Sequence, residues 1–171
     1  MSTYDSSGKK IRLTHYNSNS SINHHQIYSY DDKGNKIEEI HRNPNGSLRS
    51  QIVYKYDEKG RETELIYYKP DGTVSQKSVF TYDGDGNRSG WAAYDGTGLV
   101  KIRNTSKYDS RGNLIEWINQ GSDNESIIKG TCRYEADSVG NWIKRETARE
   151  VSKGGNTHIE HEVTYRTIAY Y

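Results

Sequence analysis

Apolar and polar residues alternate along short segments of this chain, each about nine residues long. Arg12 lies between two aliphatic residues, and Glu116 lies between Ile115 and Trp117. A period of two places successive side chains on opposite faces of a β-strand. Each segment is therefore predicted to be a strand with one apolar and one mostly charged face. No helical period competes, so the sequence predicts an all-β protein.

The strands are organised by a repeat of 26 residues that opens with Tyr-Asp, or once with Tyr-Glu. In five copies a glycine follows four residues after the tyrosine, a pattern typical of a type I turn closed by a glycine bulge. A second turn, rich in Pro, Asn, Asp and Gly, follows sixteen residues after the tyrosine. The six repeats begin at Tyr4, Tyr30, Tyr56, Tyr82, Tyr108 and Tyr134.

Two strands in each repeat predict an antiparallel meander of about twelve strands joined by tight hairpins. A closed barrel of twelve strands would leave a lumen that these side chains do not fill, so we expect an open curled sheet or partial shell. We expect one domain over residues 1–171, built by stacking, in which residues 159–171 depart from the repeat and form an irregular C-terminal cap.

Several positions depart from the repeat. Ser20 and Asn124 take the glycine place of the second turn in the first and fifth copies, which weakens the turn signal without removing it. In the sixth copy Gly140 comes two residues late, so we expect an insertion to widen the loop at residues 134–141. Cys132 stands where other copies hold an aromatic ring, and a small buried side chain is expected there.

The composition predicts an aromatic and shallow core. Leu, Ile, Val and Phe contribute only 28 residues, whereas 15 Tyr and 3 Trp supply additional apolar area. The 24 basic and 23 acidic residues nearly balance, which gives no reason to expect attraction to nucleic acid or to an anionic membrane. The sequence has no signal-peptide pattern and no apolar run of the roughly 18 residues that a membrane span requires.

The repeat resembles a known family. The segments YDDKGN at residues 30–35 and YDSRGN at residues 108–113, together with the 26-residue spacing, are similar to the YD repeats of the RHS family. The segments GNWIKR at residues 140–145 and RTIAYY at residues 166–171 resemble the C-terminus of small, free-standing bacterial members. The resemblance covers nearly the whole chain.

This resemblance implies a non-catalytic repeat architecture and a secreted or surface-exposed bacterial protein. In the larger relatives such strands spiral into a hollow shell that encloses a toxin or another cargo segment, or that serves in adhesion. Six copies are too few to surround a cargo domain on that pattern, and the Asp-Pro-rich self-cleaving segment of the toxins has no counterpart here. The architecture is therefore what the resemblance carries over, rather than a toxin activity.

The aromatic residues outside the repeat pattern are candidates for a ligand-binding site. Flat rings pack against the faces of pyranose sugars, and these residues concentrate in the middle repeats, where a curled sheet would present a concave face. The alternative interpretation is that they pack the sheet. The candidates are Tyr67, Tyr68, Trp91, Tyr94 and Trp117.

Other chemistry is explained by the repeat. His24 and His25 point to opposite faces of a strand, as do His158 and His161, so we expect no metal site. The segment at residues 83–87 resembles the start of a calcium loop, but the turn pattern already accounts for it. Glu38 and Glu39 also alternate in direction and do not form an acid–base pair. We therefore expect no catalytic residues and no cofactor.

The favoured hypothesis is a non-enzymatic bacterial repeat protein that acts as a scaffold or interaction surface, either secreted or at the cell envelope. Its partner would be a protein or a glycan at the cell surface. Two alternatives stay open: a carbohydrate-binding module that uses the middle-repeat aromatics, and a fragment of a larger RHS-type, toxin-associated shell. Exposed sheet edges additionally favour self-association through edge strands.

Overall fold

A computed structural model describes residues 1–123 and 126–170, so Asn124, Glu125 and Tyr171 lie outside the described residues. The described residues form thirteen β-strands and no helix, which confirms the predicted all-β meander. The strands are β1 (Ser2–Tyr4), β2 (Lys10–Tyr16), β3 (Ile22–Tyr30), β4 (Lys36–Arg42), β5 (Leu48–Tyr56), β6 (Glu62–Tyr68), β7 (Val74–Tyr82), β8 (Arg88–Asp95), β9 (Val100–Tyr108), β10 (Leu114–Gly121), β11 (Ile127–Ala136), β12 (Trp142–Lys153) and β13 (Asn156–Tyr165).

The strand order follows the chain from β1 to β13, and these two strands are the edges of the open sheet. Within the described part of the chain no helix could span a membrane. Contacts divide the chain into two compact units, one of residues 1–79 with 93–99 and the other of residues 80–92 with the described residues from 100 onward. The expectation of one stacked domain over the whole chain stays a prediction.

The first turn of each repeat is held by its aspartate. Asp57 Oδ1 accepts hydrogen bonds of 2.9 Å from the backbone N–H groups of Lys59 and Arg61, and Gly60 closes the turn with a φ of +78°. These hydrogen bonds favour the ionised carboxylate and lower the pKa of Asp57. The same bond to the backbone N–H four residues later is made by Asp5, Asp31, Asp83, Asp109 and Asp137.

The first copy of the second turn forms without glycine. Ser20 adopts a φ of +65° and donates its backbone N–H to the carbonyl of Asn17 at 3.0 Å. The expected turn is thus present, although an L-residue with a side chain adopts this left-handed conformation at a cost of about 1–2 kcal/mol.

The tyrosine of the repeat joins neighbouring repeats. Its hydroxyl donates a hydrogen bond to the backbone carbonyl of the residue 20 positions earlier, which is the first residue of the strand that precedes the tyrosine's own strand. Such bonds satisfy carbonyl groups at strand ends, where the register shifts at a β-bulge. In the described residues they join Tyr30 to Lys10, Tyr56 to Lys36, Tyr108 to Arg88 and Tyr134 to Leu114, with O–O distances of 2.8–3.0 Å.

The insertion in the sixth repeat lengthens a strand instead of the loop. Asp137 and Gly140 form the same tight turn as in other copies, with the Gly140 N–H donating to the Asp137 carbonyl at 3.1 Å. The two extra residues extend β11, so Ala136 takes the position at the β-bulge and Tyr134 pairs with Arg145. The expectation of a widened loop is therefore wrong, because the turn chemistry moves with its aspartate.

Part of the expected irregular cap is a regular strand. Residues 159–165 lie in β13, and all ten β13 residues pair with β12 without a register shift. Arg166 then donates its Nε–H to the carbonyl of Trp142 at 3.0 Å and covers the Trp142 ring at 4.2 Å from the centroid. Trp142 begins β12, so Arg166 makes the contact that a repeat tyrosine makes elsewhere. Tyr170 continues along the last turn, where its hydroxyl contacts Asp137 and Asn141.

Burial is shallow throughout the described residues, as the composition predicts. No described side chain is fully buried. Strand pairing and contacts along each face must therefore supply more of the stability than a deep apolar core. The described hydrophobic residues that are at most 9% exposed are Ile66, Ala92, Ala93 and Cys132.

The tyrosine contact predicts a measurable loss of stability in Tyr56→Phe. This change leaves the Lys36 carbonyl without its donor, and we expect the free energy of unfolding in urea to fall by about 0.5–1.5 kcal/mol. Tyr16→Phe is the matched control, because Tyr16 is 50% exposed and its hydroxyl has no hydrogen-bond partner among the described residues. Equal stabilities of the two variants would contradict a structural role for the tyrosine hydroxyl.

Candidate functional site

The five predicted aromatic residues do not form one described cluster. In the first unit Tyr67 and Tyr68 are adjacent on β6 and therefore lie on opposite faces; their β5 partners are Ile52 and Gln51. Tyr94, in the same unit, lines an open cavity of about 380 Å³. The other residues lining this cavity are Val74, Lys77, Val79, Asp95, Gly96, Thr97 and Gly98.

In the second unit Trp117 packs on a glycine of the neighbouring strand. Trp117 of β10 is paired with Gly130 of β11, and a Cβ atom at Gly130 would overlap the indole ring. The absence of a side chain at Gly130 thus makes room for the ring, which is half-buried. Trp91 is also half-buried, between Gly90 and Ala92 on β8. A packing role accounts for Trp117, while sugar binding by either tryptophan stays a prediction.

A polar cluster lies on one face of β3, β4 and β5. Its centre is Glu39, which accepts hydrogen bonds of 2.8 Å from Lys36 Nζ and from His41 Nε2. The Lys36 ammonium also lies 4.5 Å from the centroid of the Tyr54 ring. We refer to this group as the Glu39 cluster and define it as Gln26, Tyr28, Lys36, Glu39, His41 and Tyr54.

Charge pairing dominates the electrostatics of the Glu39 cluster. Burial would raise the pKa of Glu39, but the hydrogen bonds from Lys36 and His41 hold it below its usual value. Burial would likewise lower the pKa of Lys36, but hydrogen bonds with Glu39 and Tyr54 raise it. The Glu39 side chain is only 13% exposed, so water screens this pair less than a surface ion pair. Glu39 is therefore ionised at neutral pH, and both of its oxygens are engaged.

Three imidazole rings on adjacent strands extend the same face. His15 of β2 and His24 of β3 stack with ring centroids 4.2 Å apart, and His24 lies 6.0 Å from His41 of β4. We call these three residues the histidine stack. Tyr67 adjoins the Glu39 cluster and is among the groups that influence the pKa of Tyr54, which burial chiefly raises.

The remaining candidates lie largely where the sequence predicts. Glu38 and Glu39 pair with Val53 and Ile52, respectively, and so lie on opposite faces. Cys132 is buried, as expected, with its Sγ atom 3.5 Å from the Thr147 hydroxyl. In β13 His158 contacts Glu160 on an exposed face at 3.1 Å.

The sequence contains a signal for Glu39 and for two rings of the histidine stack, His15 and His41. His15, His41 and Tyr67 are spaced by 26 residues and so occupy equivalent places in three repeats. Glu39 likewise is equivalent to Leu13 and Leu65, so a carboxylate replaces an aliphatic side chain on that face. Aligning the repeats column by column would have identified both substitutions.

Comparisons with solved structures show similarity at the level of the fold. A chain in the crystal structure of TcdB2-TccC3-Cdc42 matches 93% of this chain with a TM-score of 0.54 and 19% identity, and one in TcdB2-TccC3 matches 96% with a TM-score of 0.53 and 20% identity. These matches cover only 9% and 10% of those chains, respectively. A porin-like protein from Bacteroides uniformis matches 96% of this chain and 87% of its own, with a TM-score of 0.50 and 10% identity.

No protein-family model matches the sequence, and no curated protein is significantly similar to it.

The packing of Trp117 predicts a specific effect of Gly130→Ala. The added methyl group must displace the indole ring, so we expect a loss of about 1–3 kcal/mol in unfolding free energy and a shift of tryptophan fluorescence to longer wavelength. Gly84→Ala is the control, because a Cβ atom at Gly84 would meet no atom within 4 Å and the residue lacks a positive φ. Unchanged fluorescence and stability in Gly130→Ala would contradict the described packing.

The Glu39 cluster predicts a pH-dependent contribution to stability. The folded-state pKa of Glu39 lies below the ordinary value of 4.5, so its ionised form stabilises the fold above that pH and the contribution declines as pH falls through the folded pKa. Glu39→Gln should therefore lower stability at pH 7 by about 1–3 kcal/mol, with a smaller difference from the unmodified protein at pH 3.

Urea unfolding at several pH values measures this difference. Glu58→Gln is a suitable control, because Glu58 is exposed in a turn and only its backbone carbonyl accepts a described hydrogen bond, from Lys33. A loss in Glu39→Gln that is the same at pH 7 and pH 3 would exclude ionisation of Glu39 as its source.

Proposed function

We propose that this protein is a non-enzymatic YD-repeat scaffold of the RHS type that presents an interaction surface outside the bacterial cell or at its envelope. The 26-residue repeat and the fold similarity to the TcdB2-TccC3 structures support this proposal. The full engagement of Glu39 by Lys36 and His41 also suits a structural role better than proton transfer to a substrate.

The observation that carries the proposal is the exposed edge at β13. This strand has ten residues in unbroken register with β12, and nine of them are exposed. Its outer edge presents backbone donors and acceptors, and Ile159 and Val163 are 62% and 50% exposed. By contrast, β1 is a three-residue strand with a register shift. A long, regular edge is the surface to which an additional strand binds most readily.

The charge pattern of β13 favours a second copy of the same strand as the occupant. Antiparallel pairing about a twofold axis at Ile159 places His158 of one copy opposite Glu160 of the other, twice. The two Ile159 side chains then pack together at the axis. Twofold registers centred at Glu160 or His161 place Glu160 opposite a glutamate, which is unfavourable, and one centred at His158 places it opposite the neutral Asn156.

A fragment of a larger RHS-type shell is the second candidate. This candidate is favoured by the match to only 9–10% of the TcdB2-TccC3 chains, since this chain then corresponds to a small part of a much longer one. In such a longer protein the β13 edge would pair with a further strand of the same chain. Carbohydrate binding by the five aromatic residues stays a prediction. Tyr67 and Tyr68 face opposite sides of the sheet, so the two rings do not line one binding surface.

Self-association through β13 is tested by Ile159→Lys. We expect the unmodified protein to dimerise with increasing concentration in light scattering, and Ile159→Lys to shift it toward monomer because two like charges would meet at the axis. Val139→Lys adds the same charge in an exposed turn and should leave association unchanged. A strict monomer at all concentrations, or equal effects of both variants, would refute the proposed edge pairing.

A further inference from the structure

The histidine stack leaves one nitrogen of each ring available. His15 Nε2 lies 3.1 Å from the Gln26 side-chain oxygen, His24 Nδ1 lies 2.7 Å from the Asn23 oxygen, and His41 Nε2 lies 2.8 Å from Glu39. If these nitrogens carry the proton and donate, the second nitrogens are His15 Nδ1, His24 Nε2 and His41 Nδ1. These three have no hydrogen-bond partner among the described residues.

Protonation of the stack therefore creates N–H donors that the fold does not satisfy. An imidazole gains its second proton at the nitrogen that was an acceptor, so each new donor would appear at one of these unpartnered positions. Three positive rings at centroid spacings of 4.2 and 6.0 Å would also repel one another. A bound anion would relieve both costs, by accepting the hydrogen bonds and by neutralising charge.

The surroundings of the stack are predominantly positive. Burial lowers the pKa of His24, and positive charge on His15, Arg49, His41 and His25 lowers it further. Arg49 is exposed on β5, where its neighbour Ser50 is the residue that pairs with His41. Arg49 therefore adds positive charge near the stack without being placed in it.

The groups that face His24 come from both neighbouring strands. His15 lies on β2, and His41 and Glu39 lie on β4. Glu39 is the carboxylate nearest to the stack along the described hydrogen bonds, and Lys36 already pairs with it. His41 contacts Glu39 through Nε2, which leaves its Nδ1 on the other side of the ring. The stack thus retains a net positive character when its histidines are protonated.

A metal ion fits this arrangement poorly. The planes of His15 and His24 are only 12° apart, so their lone pairs do not converge on one point as tetrahedral coordination requires. Among the described residues no group of three His, Cys, Asp or Glu side chains is arranged to hold a metal.

We propose that the histidine stack forms a proton-coupled site for a tetrahedral oxyanion, such as a sulfate or phosphate group. Binding is expected to strengthen as pH falls and the stack gains protons, and to weaken as pH rises and the stack loses them. The site lies in the first unit and is independent of the β13 edge, so it stands or falls separately from the proposed scaffold function.

The test is a histidine proton NMR titration of the full chain in sodium sulfate and in sodium chloride at equal ionic strength. By linkage, a tenfold preference of sulfate for the protonated stack raises the pKa of His24 by about one unit at saturation. Sulfate is the suitable probe because its charge does not change between pH 5 and 8. We expect the pKa of His24 to rise in sulfate and that of His158, which is 63% exposed in the second unit, to stay the same.

Two variants locate the site. His24→Asn should weaken sulfate binding at pH 5.5 and reduce its pH dependence, whereas His25→Asn changes a ring on the opposite face and should have little effect. Methyl sulfate, measured in parallel, distinguishes a site for a free dianion from one for an ester group. Equal histidine titrations in sulfate and chloride would overturn the proposal, as would equal changes of pKa at His24 and His158. This readout uses the unmodified protein and does not depend on the folding of a variant.

Discussion

The hydrogen bond from a repeat tyrosine to the first residue of the preceding strand, made by Tyr30, Tyr56, Tyr108 and Tyr134, links local and long-range structure in this protein. The hairpin turns are formed by residues a few positions apart, and aspartate and glycine are sufficient to form them. A turn cannot, however, satisfy the carbonyl at the start of the strand that follows it, where a bulge interrupts the ladder. Tyr56, for example, supplies the missing donor from 20 residues away. The same side chain therefore satisfies a polar group and aligns successive hairpins in a sheet that has little buried core.

Much of this architecture is encoded by short-range patterns and is therefore accessible from the sequence. The alternation around Arg12 and the recurring Tyr-Asp pairs predict the strands, the turns and the antiparallel order. The loop at residues 134–141 was harder to predict, because the sequence does not show whether a strand or the turn takes up the two extra residues. The segment from residue 159 was also harder to predict, because its structure depends on pairing with a neighbouring strand. Strand β13 has a weak repeat signal and is stabilised by β12 beside it. Tertiary pairing decides such a segment more than local propensity does.

The polar face was harder to predict for a related reason. Candidates chosen as prominent aromatic residues are separated by strand alternation, as for Tyr67 and Tyr68, or are accounted for by packing, as for Trp117 on Gly130. An alignment of the repeats singles out Glu39 as a substitution, but its pairing with Lys36 and His41 is evident only in the structure. Their hydrogen bonds depend on the register between β3, β4 and β5, which is a property of pairing rather than composition. Repeat proteins thus conceal local chemistry in the few columns where one copy differs from the others.

The two residues inserted before Asp137 show how such a sheet tolerates change in length. An even number of added residues preserves the parity of a strand, so Ala136, which takes the position at the bulge, lies on the same face as Tyr134. A single added residue would invert every side chain beyond it. The strands of this protein can therefore be lengthened at their hairpin ends by two residues at a time, and we expect natural or engineered extensions to contain an even number of residues. The length of a strand can therefore vary, but the face to which each of its side chains points cannot.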